Sequence, residues 1–194
     1  MTSSYVGKPI VDTHCHLVSE RLRDRVGDLV AGAHAAGVVK IVNIAYDPET
    51  IDLALAQARS HAGVFCALGI QPHDADTFSE DQAQRVVRLA REEKKVVAIG
   101  EIGLDGFHKL VDMPKQIECF ERFLEVALEV DLPIAVHVRE THTDVLTRLR
   151  AFSARGGRGE IHCFTGTRDE AREFLDIGFY LSFSGIVTFK NSLE

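Results

Sequence analysis

The feature that most constrains this chain is an alternation. Seven times along its 194 residues, a short run dense in apolar and β-branched residues is followed by a polar loop, and six times a stretch with helical spacing comes next. The apolar runs fall at 10–17, 40–46, 64–70, 96–100, 133–138, 160–164 and 179–185, and the helical stretches at 21–36, 47–61, 80–94, 113–130, 143–154 and 168–177. The runs show little polar alternation, as expected of strands buried on both faces of a parallel sheet. Repeated strand–helix units of this kind build a β/α barrel or a doubly wound open sheet. No Gly-x-Gly-x-x-Gly follows the first run, which disfavours the dinucleotide-binding version of the open sheet. In the first helical stretch Leu22, Val26, Leu29, Val30 and Ala33 share a face, and Gly37 is placed to end it as a left-handed cap. In the fourth, Ile117, Phe120, Leu124, Ala127 and Leu128 are expected to point inward. No linker or shift in composition interrupts the pattern, so residues 1–194 read as one domain with one core.

Chemistry enters at the ends of these runs. The first reads Ile-Val-Asp-Thr-His-Cys-His-Leu. On a strand, alternate side chains share a face, so His14 and His16 would point the same way with Cα atoms about 6.5–7 Å apart. A single His-x-His is weak evidence for a metal site, but the pattern recurs: Glu101 follows the fourth run, His137 lies in the fifth and His162 in the sixth. Barrel active sites are assembled at the C-terminal ends of strands. Histidine and carboxylate together suit a divalent ion such as zinc or manganese. Four histidines exceed what one hydrolytic ion needs beside its water. Two ions bridged by Glu101 would use them all, and a pair of ions can activate water and clamp both oxygens of a phosphoryl displacement. Burying five such groups without partners would cost several kcal/mol each.

Further candidates follow the same logic. Arg139, two residues beyond His137, shares its face and could grip a phosphate; the competing reading is an ion pair with Glu140 or Asp144. His73 in the loop after the third run could touch substrate or simply face solvent. Asp105 could orient a ligand histidine or cap a turn. His34, His61, His108 and His142 have no converging partner and read as surface residues.

Composition excludes several classes. The net charge of −7 argues against nucleic-acid binding through a broad basic surface, so a phosphate substrate would be held locally by metals and a few arginines. No run of 18 apolar residues suggests a membrane span, and the short polar start lacks the pattern of a secretory leader. Cys15, Cys66, Cys119 and Cys163 form no Cys-x-x-Cys pair, which points to free thiols and a cytoplasmic protein. Cys15 and Cys163 are expected to pack as small apolar groups facing away from the neighbouring histidines.

Six motifs, in order, resemble the TatD family of metal-dependent deoxyribonucleases among the amidohydrolase-like barrels. They are Val-Asp-Thr-His-Cys-His (11–16), Gly-Ile-Gln-Pro-His (69–73), Gly-Glu-Ile-Gly-Leu-Asp (100–105), Leu-Pro-Ile-Ala-Val-His-Val-Arg (132–139), Ile-His-Cys-Phe-Thr-Gly (161–166) and Gly-Phe-Tyr-Leu-Ser-Phe-Ser-Gly (178–185). The resemblance implies a TIM-type (β/α) barrel and phosphodiester hydrolysis in DNA, often exonucleolytic, with two divalent cations (magnesium, manganese or zinc). It implies that His14 and His16 hold the first ion, that His137 and His162 hold the second, and that Glu101 bridges them. Gln71 departs from a common histidine, and Gly106 from a common aromatic residue. The family's last ligand, an aspartate on the eighth strand, would lie beyond residue 194, so the sequence assigns no catalytic aspartate. A partial sequence with about seven of eight strands is therefore expected, with weak activity or none until a family-type C-terminal segment is appended. The edge between the seventh and first strands would be open to self-association. Two other functions compete: hydrolysis of a lactone or amide by the same barrel group, and metal binding without catalysis.

Overall fold

The apolar runs pair side by side in chain order. The computed structural model describes residues 8–190. In it, β1 (Ile10–Cys15), β2 (Val38–Ile44), β3 (Val64–Leu68), β4 (Val96–Asp105), β5 (Ile134–Arg139), β6 (Gly159–His162) and β7 (Tyr180–Leu181) form one seven-stranded sheet in that order. Every neighbouring pair is parallel. Parallel neighbours need a crossover, supplied by α1 (Val26–Ala35), α2 (Pro48–Ser60), α3 (Glu80–Glu92), α4 (Met113–Val130), α5 (His142–Ala154) and α6 (Arg168–Asp176). A doubly wound sheet reverses its strand order at a switch point. This one never reverses, and it curls into a half-barrel.

Local sequence explains where the helices begin. Asp47, Ser79 and Thr167 each accept the backbone N–H three residues on, and Thr50, Gln82 and Glu170 reach back to the cap, giving α2, α3 and α6 capping boxes. The helix expected at 21–36 is shorter: a 3-10 turn at Arg23–Arg25 precedes α1, and no side chain caps either start. The core lies between sheet and helices. From α4 it takes Phe120, Phe123, Leu124 and Ala127, all buried, whereas Ile117 and Leu128 are only partly covered.

Two strands differ from expectation in ways that matter for the site. The seventh run yields only Tyr180–Leu181 as strand, followed by a 3-10 turn at Gly185–Thr188. It bonds β6 on one side alone among the described residues, and Tyr180 is 77% exposed, so little burial holds the rest of the run extended. The fourth strand is longer than the expected 96–100 and reaches Asp105, so Glu101 lies inside the strand rather than past its end. A register shift between Ile99 and Ile102 breaks its pairing with β5, the Gly100–Glu101 peptide is cis, and the Glu101 N–H donates instead to Ala45 O at 2.8 Å, just beyond β2. Beyond the shift, Gly103 pairs with His137, and His137 with His162. Gly103 has φ +145, and a Cβ there would run into the His137 carbonyl, so the close approach of β4 to β5 requires glycine.

The C-terminal end of β4 is fixed by a buried amide. Gln116 of α4 accepts the Asp105 N–H at 2.8 Å and donates to the carbonyls of Asp105 (3.1 Å) and Val111 (2.8 Å). Gln116→Met keeps the volume and removes all three bonds, leaving buried backbone groups unpaired. We expect it to lower the unfolding free energy by about 2–4 kcal/mol, read from urea denaturation.

Candidate metal centre

The side chains read as ligands come together at the C-terminal ends of β1, β5 and β6 around Glu101. Glu101 is 3% exposed. Its Oε2 lies 3.5 Å from His14 Nε2 and 3.3 Å from His16 Nε2, and its Oε1 lies 3.0 Å from His137 Nδ1. One carboxylate oxygen thus faces the β1 histidines and the other faces β5. His162 stacks on His14, with ring centroids 3.4 Å apart and planes inclined by 11°. Donor atoms of His14, Glu101 and His162 all fall within 4.8 Å of one another.

Two backbone arrangements aim these rings. His16 Nδ1 lies 3.1 Å from Ile44 O. A proton on Nδ1 donates there and leaves Nε2, which faces Glu101, with its lone pair free. The loop carrying His16 is tied down by buried amides: Asn43 accepts the Leu17 N–H (2.9 Å) and donates to Gln57 (2.7 Å), which donates to Leu17 O (3.3 Å).

The donor set fits a divalent cation. Both nitrogens of His14 and Nδ1 of His162 are buried without a hydrogen-bond partner. An unmet buried polar atom costs about 1–3 kcal/mol, and a cation coordinated by one nitrogen of each ring would remove that cost at the coordinating atoms. Electrostatics agree. Burial alone would raise the Glu101 pKa, but the hydrogen bond from His137 and the nearby charge of His14 and His137 hold it well below the usual carboxylate value. Burial would lower His14, but Glu101 and Glu160 outweigh it and raise it to about 8. Burial and then the neighbouring His14 push His162 down to about 3, so it stays neutral with a lone pair to offer.

Asp105 organises the outer part of the site. It is 1% exposed, and its Oδ2 accepts from His73 Nε2 (2.8 Å), His108 Nδ1 (2.8 Å) and His137 Nε2 (2.9 Å). Its Oδ1 accepts the N–H groups of Phe107 (2.9 Å) and His108 (2.7 Å). His73 is therefore held on Asp105 rather than facing solvent freely. His108, read as a partnerless surface histidine, is a partner of Asp105. His142, read the same way, sits 3.7 Å from Glu170 and against Phe164. Local spacing concealed both contacts, which depend on how the loops after β4 and β6 fold back. Glu160, not singled out, lies 3.8 Å from His14 Nδ1. It stands two residues before His162 on β6, so strand alternation carried that signal.

Arg139 makes no ion pair with Glu140 or Asp144. Its guanidinium lies over the Phe107 ring, 5.0 Å from the centroid. With His108, His137, His162, Cys163 and Thr165 it lines a cavity of about 190 Å³ at the mouth, next to one of about 570 Å³ bordered by Thr165, Gly166, Thr167 and Arg168. The Cys15 thiol lies against Val42 O, and the Cys163 thiol lies against Ser184 Oγ, with Cys163 lining the mouth cavity beside the histidines.

A family model described as TatD-related DNase matches residues 11–194. YabD of Bacillus subtilis, named as an uncharacterized metal-dependent hydrolase, is 38% identical over 183 residues, which cover 94% of this chain and 71% of that protein. TatD of Cronobacter turicensis, named as a 3'-5' ssDNA/RNA exonuclease, is 36% identical over 176 residues, covering 91% of this chain and 66% of that one. The crystal structure of YjjV, a TatD homologue from Escherichia coli, superposes with a TM-score of 0.82 at 30% identity, covering 93% of this chain and 70% of that chain. A TatD-family hydrolase from Entamoeba histolytica, at 20% identity and TM-score 0.81, shares the fold. The chain thus spans 66–71% of the length of these two sequence relatives. Among the described residues no helix is long and apolar enough to cross a membrane.

Asp105 carries the pH dependence open to test. Burial would raise its pKa, but the His108 N–H and the imidazoles of His108, His73 and His137 hold the carboxyl well below its ordinary value. A depressed folded pKa stabilises the fold above the unfolded value of about 3.9, and that contribution fades as the pH falls through and below it. Asp105→Asn should cost about 2 kcal/mol at pH 7, and the gap to wild type should narrow from pH 4 downward in urea titrations.

Proposed function

The chain belongs to the TatD-related DNase family, and from that premise we propose that it hydrolyses phosphodiester bonds of single-stranded DNA from an end, using two divalent cations gathered at Glu101. The observation that carries this reading is the two-sided setting of Glu101, with Oε2 toward His14 and His16 and Oε1 toward His137. In this proposal His14 and His16 hold one ion, His137 and His162 the other, and Glu101 belongs to both. Bound ions of this kind supply Lewis acidity and lower the pKa of water.

The chain's own groups prepare the site for that chemistry. Glu101 stays ionised although buried, because histidines surround it. Asp105 accepts from His137 Nε2, which fixes the ring with Nδ1 toward Glu101. Ile44 O does the equivalent for His16. Arg139 stands at the mouth with a planar cation suited to two phosphate oxygens. The substrate class rests on this geometry and on the name of the Cronobacter relative, an exonuclease on ssDNA and RNA.

Manganese-loaded protein should shorten a labelled single-stranded oligonucleotide, weakly by itself and faster with a family-type C-terminal segment appended, and leave a γ-lactone and a dihydropyrimidine amide untouched. Glu101→Gln should lower bound metal, measured by plasma mass spectrometry, and reduce hydrolysis at least 100-fold. Asp105→Asn, acting through His137, should cost about 10–100-fold in metal affinity or rate. Metal bound in full with every oligonucleotide left intact, with that segment appended as well as without it, would overturn the nuclease reading in favour of binding without catalysis.

A further inference from the structure

We propose that Phe107 is a stacking platform for an unpaired nucleobase of the substrate whose phosphate Arg139 grips; this rests on the phosphodiesterase reading above and specifies what that site recognises.

Four observations carry it. First, Phe107 is a large apolar residue left 51% exposed at the catalytic end of the half-barrel, two residues beyond the end of β4. Second, its backbone is fixed. Its own N–H and that of His108 both donate to the buried Asp105 carboxylate, so the ring is presented from a braced loop. Third, its neighbours are polar groups of the mouth. The Arg139 guanidinium lies over the ring at 5.0 Å, and the His108 imidazole meets it at right angles with centroids 4.9 Å apart. Arg139 and His108 in turn line the mouth cavity with His137 and His162. Fourth, Arg139 has no carboxylate within ion-pair distance among the described residues. Its charge is held by an aromatic face and remains available to an anion.

An aromatic ring and a guanidinium side by side match the chemistry of a nucleotide, a flat base attached to a charged phosphate. Such pairs bind single strands without regard to sequence, because every base has a stacking face. A paired base lies inside its duplex and cannot reach the ring, so the platform also selects for unpaired ends. The net charge of −7 gives the chain no broad attraction for nucleic acid, which leaves affinity to local contacts of this kind.

The test is fluorescence anisotropy on the full chain in Mn2+ with a labelled octathymidylate, its terminal linkages made phosphorothioate to resist cleavage. A matched oligomer lacks the bases of its last two residues. Phe107→Ala should weaken binding of the intact oligomer about tenfold, and Phe107→Trp should retain it, both with metal content unchanged. Wild type should bind the abasic oligomer no better than Phe107→Ala does. Equal binding of the intact oligomer by wild type and Phe107→Ala would overturn the platform alone. So would an equal loss on both oligomers, which would show that Phe107 only holds Arg139 in place. If wild type binds neither oligomer, the platform and the phosphodiesterase reading fall together.

Discussion

The structure turns on one charge that cannot reach water. Glu101 sits inside a central strand at 3% exposure, with its two oxygens facing imidazoles from β1 on one side and β5 on the other. An isolated carboxylate in such a place would take up a proton, because burial penalises the charged form. Here the histidines reverse that outcome, and they can do so only if three strands end at one level. The parallel register sets that level: His137 pairs with Gly103 on one side and His162 on the other. A glycine beside His137 lets β4 and β5 approach closely enough for the carboxylate and the imidazole to meet.

The same strand also carries the outer part of the site. Four residues after Glu101, Asp105 gathers three imidazole nitrogens on one oxygen and two backbone N–H groups on the other. His137 touches both carboxylates, Nδ1 to Glu101 and Nε2 to Asp105, so the inner cluster and the mouth form one hydrogen-bonded unit. Gln116 and Thr141 brace the strand end from α4 and from the start of α5, through bonds to Asp105 and to Leu104 O. Neither brace touches Glu101. Both fix the backbone from which Asp105, and through it His137, is aimed.

Much of this was legible in the sequence. Repeated apolar runs and helical stretches indicated a parallel β/α sheet, since both periods are local properties of the chain. The His-x-His spacing placed His14 and His16 on one face for the same reason. What escaped depended on contacts between distant segments. The apolar run of the fourth strand ends at residue 100, yet the Glu101 N–H finds Ala45 O across the sheet and the strand continues to Asp105. His108 looked unpartnered because its partner is reached through a turn three residues long, which no face pattern encodes. The seventh strand was overestimated because its apolar run needs burial on two sides, and among the described residues it pairs only with β6.

The two departures from the family's motifs gain a physical account at the mouth. Gln71 donates to Asp74 at 2.7 Å, bracing the start of the Pro72–Thr77 turn that delivers His73 to Asp105. Gly106 donates its N–H to Arg139 O at 2.8 Å, and a Cβ there would sit 3.2 Å from both Glu140 O and Thr141 Cγ2. The chain runs close to the end of β5 at that point, so a side chain there would push Glu140 O or Thr141 aside by a few tenths of an ångström. The next position is free of that constraint, and it carries the aromatic ring. Around the helical exterior, arginines such as Arg122, Arg148, Arg155 and Arg158 are matched by carboxylates on adjoining segments, contacts worth little individually in water. Arg139 instead rests on Phe107, beside the histidines. Other arginines, among them Arg21, Arg88 and Arg172, also have no carboxylate partner among the described residues, so what sets Arg139 apart is its place beside the histidines that gather around Glu101.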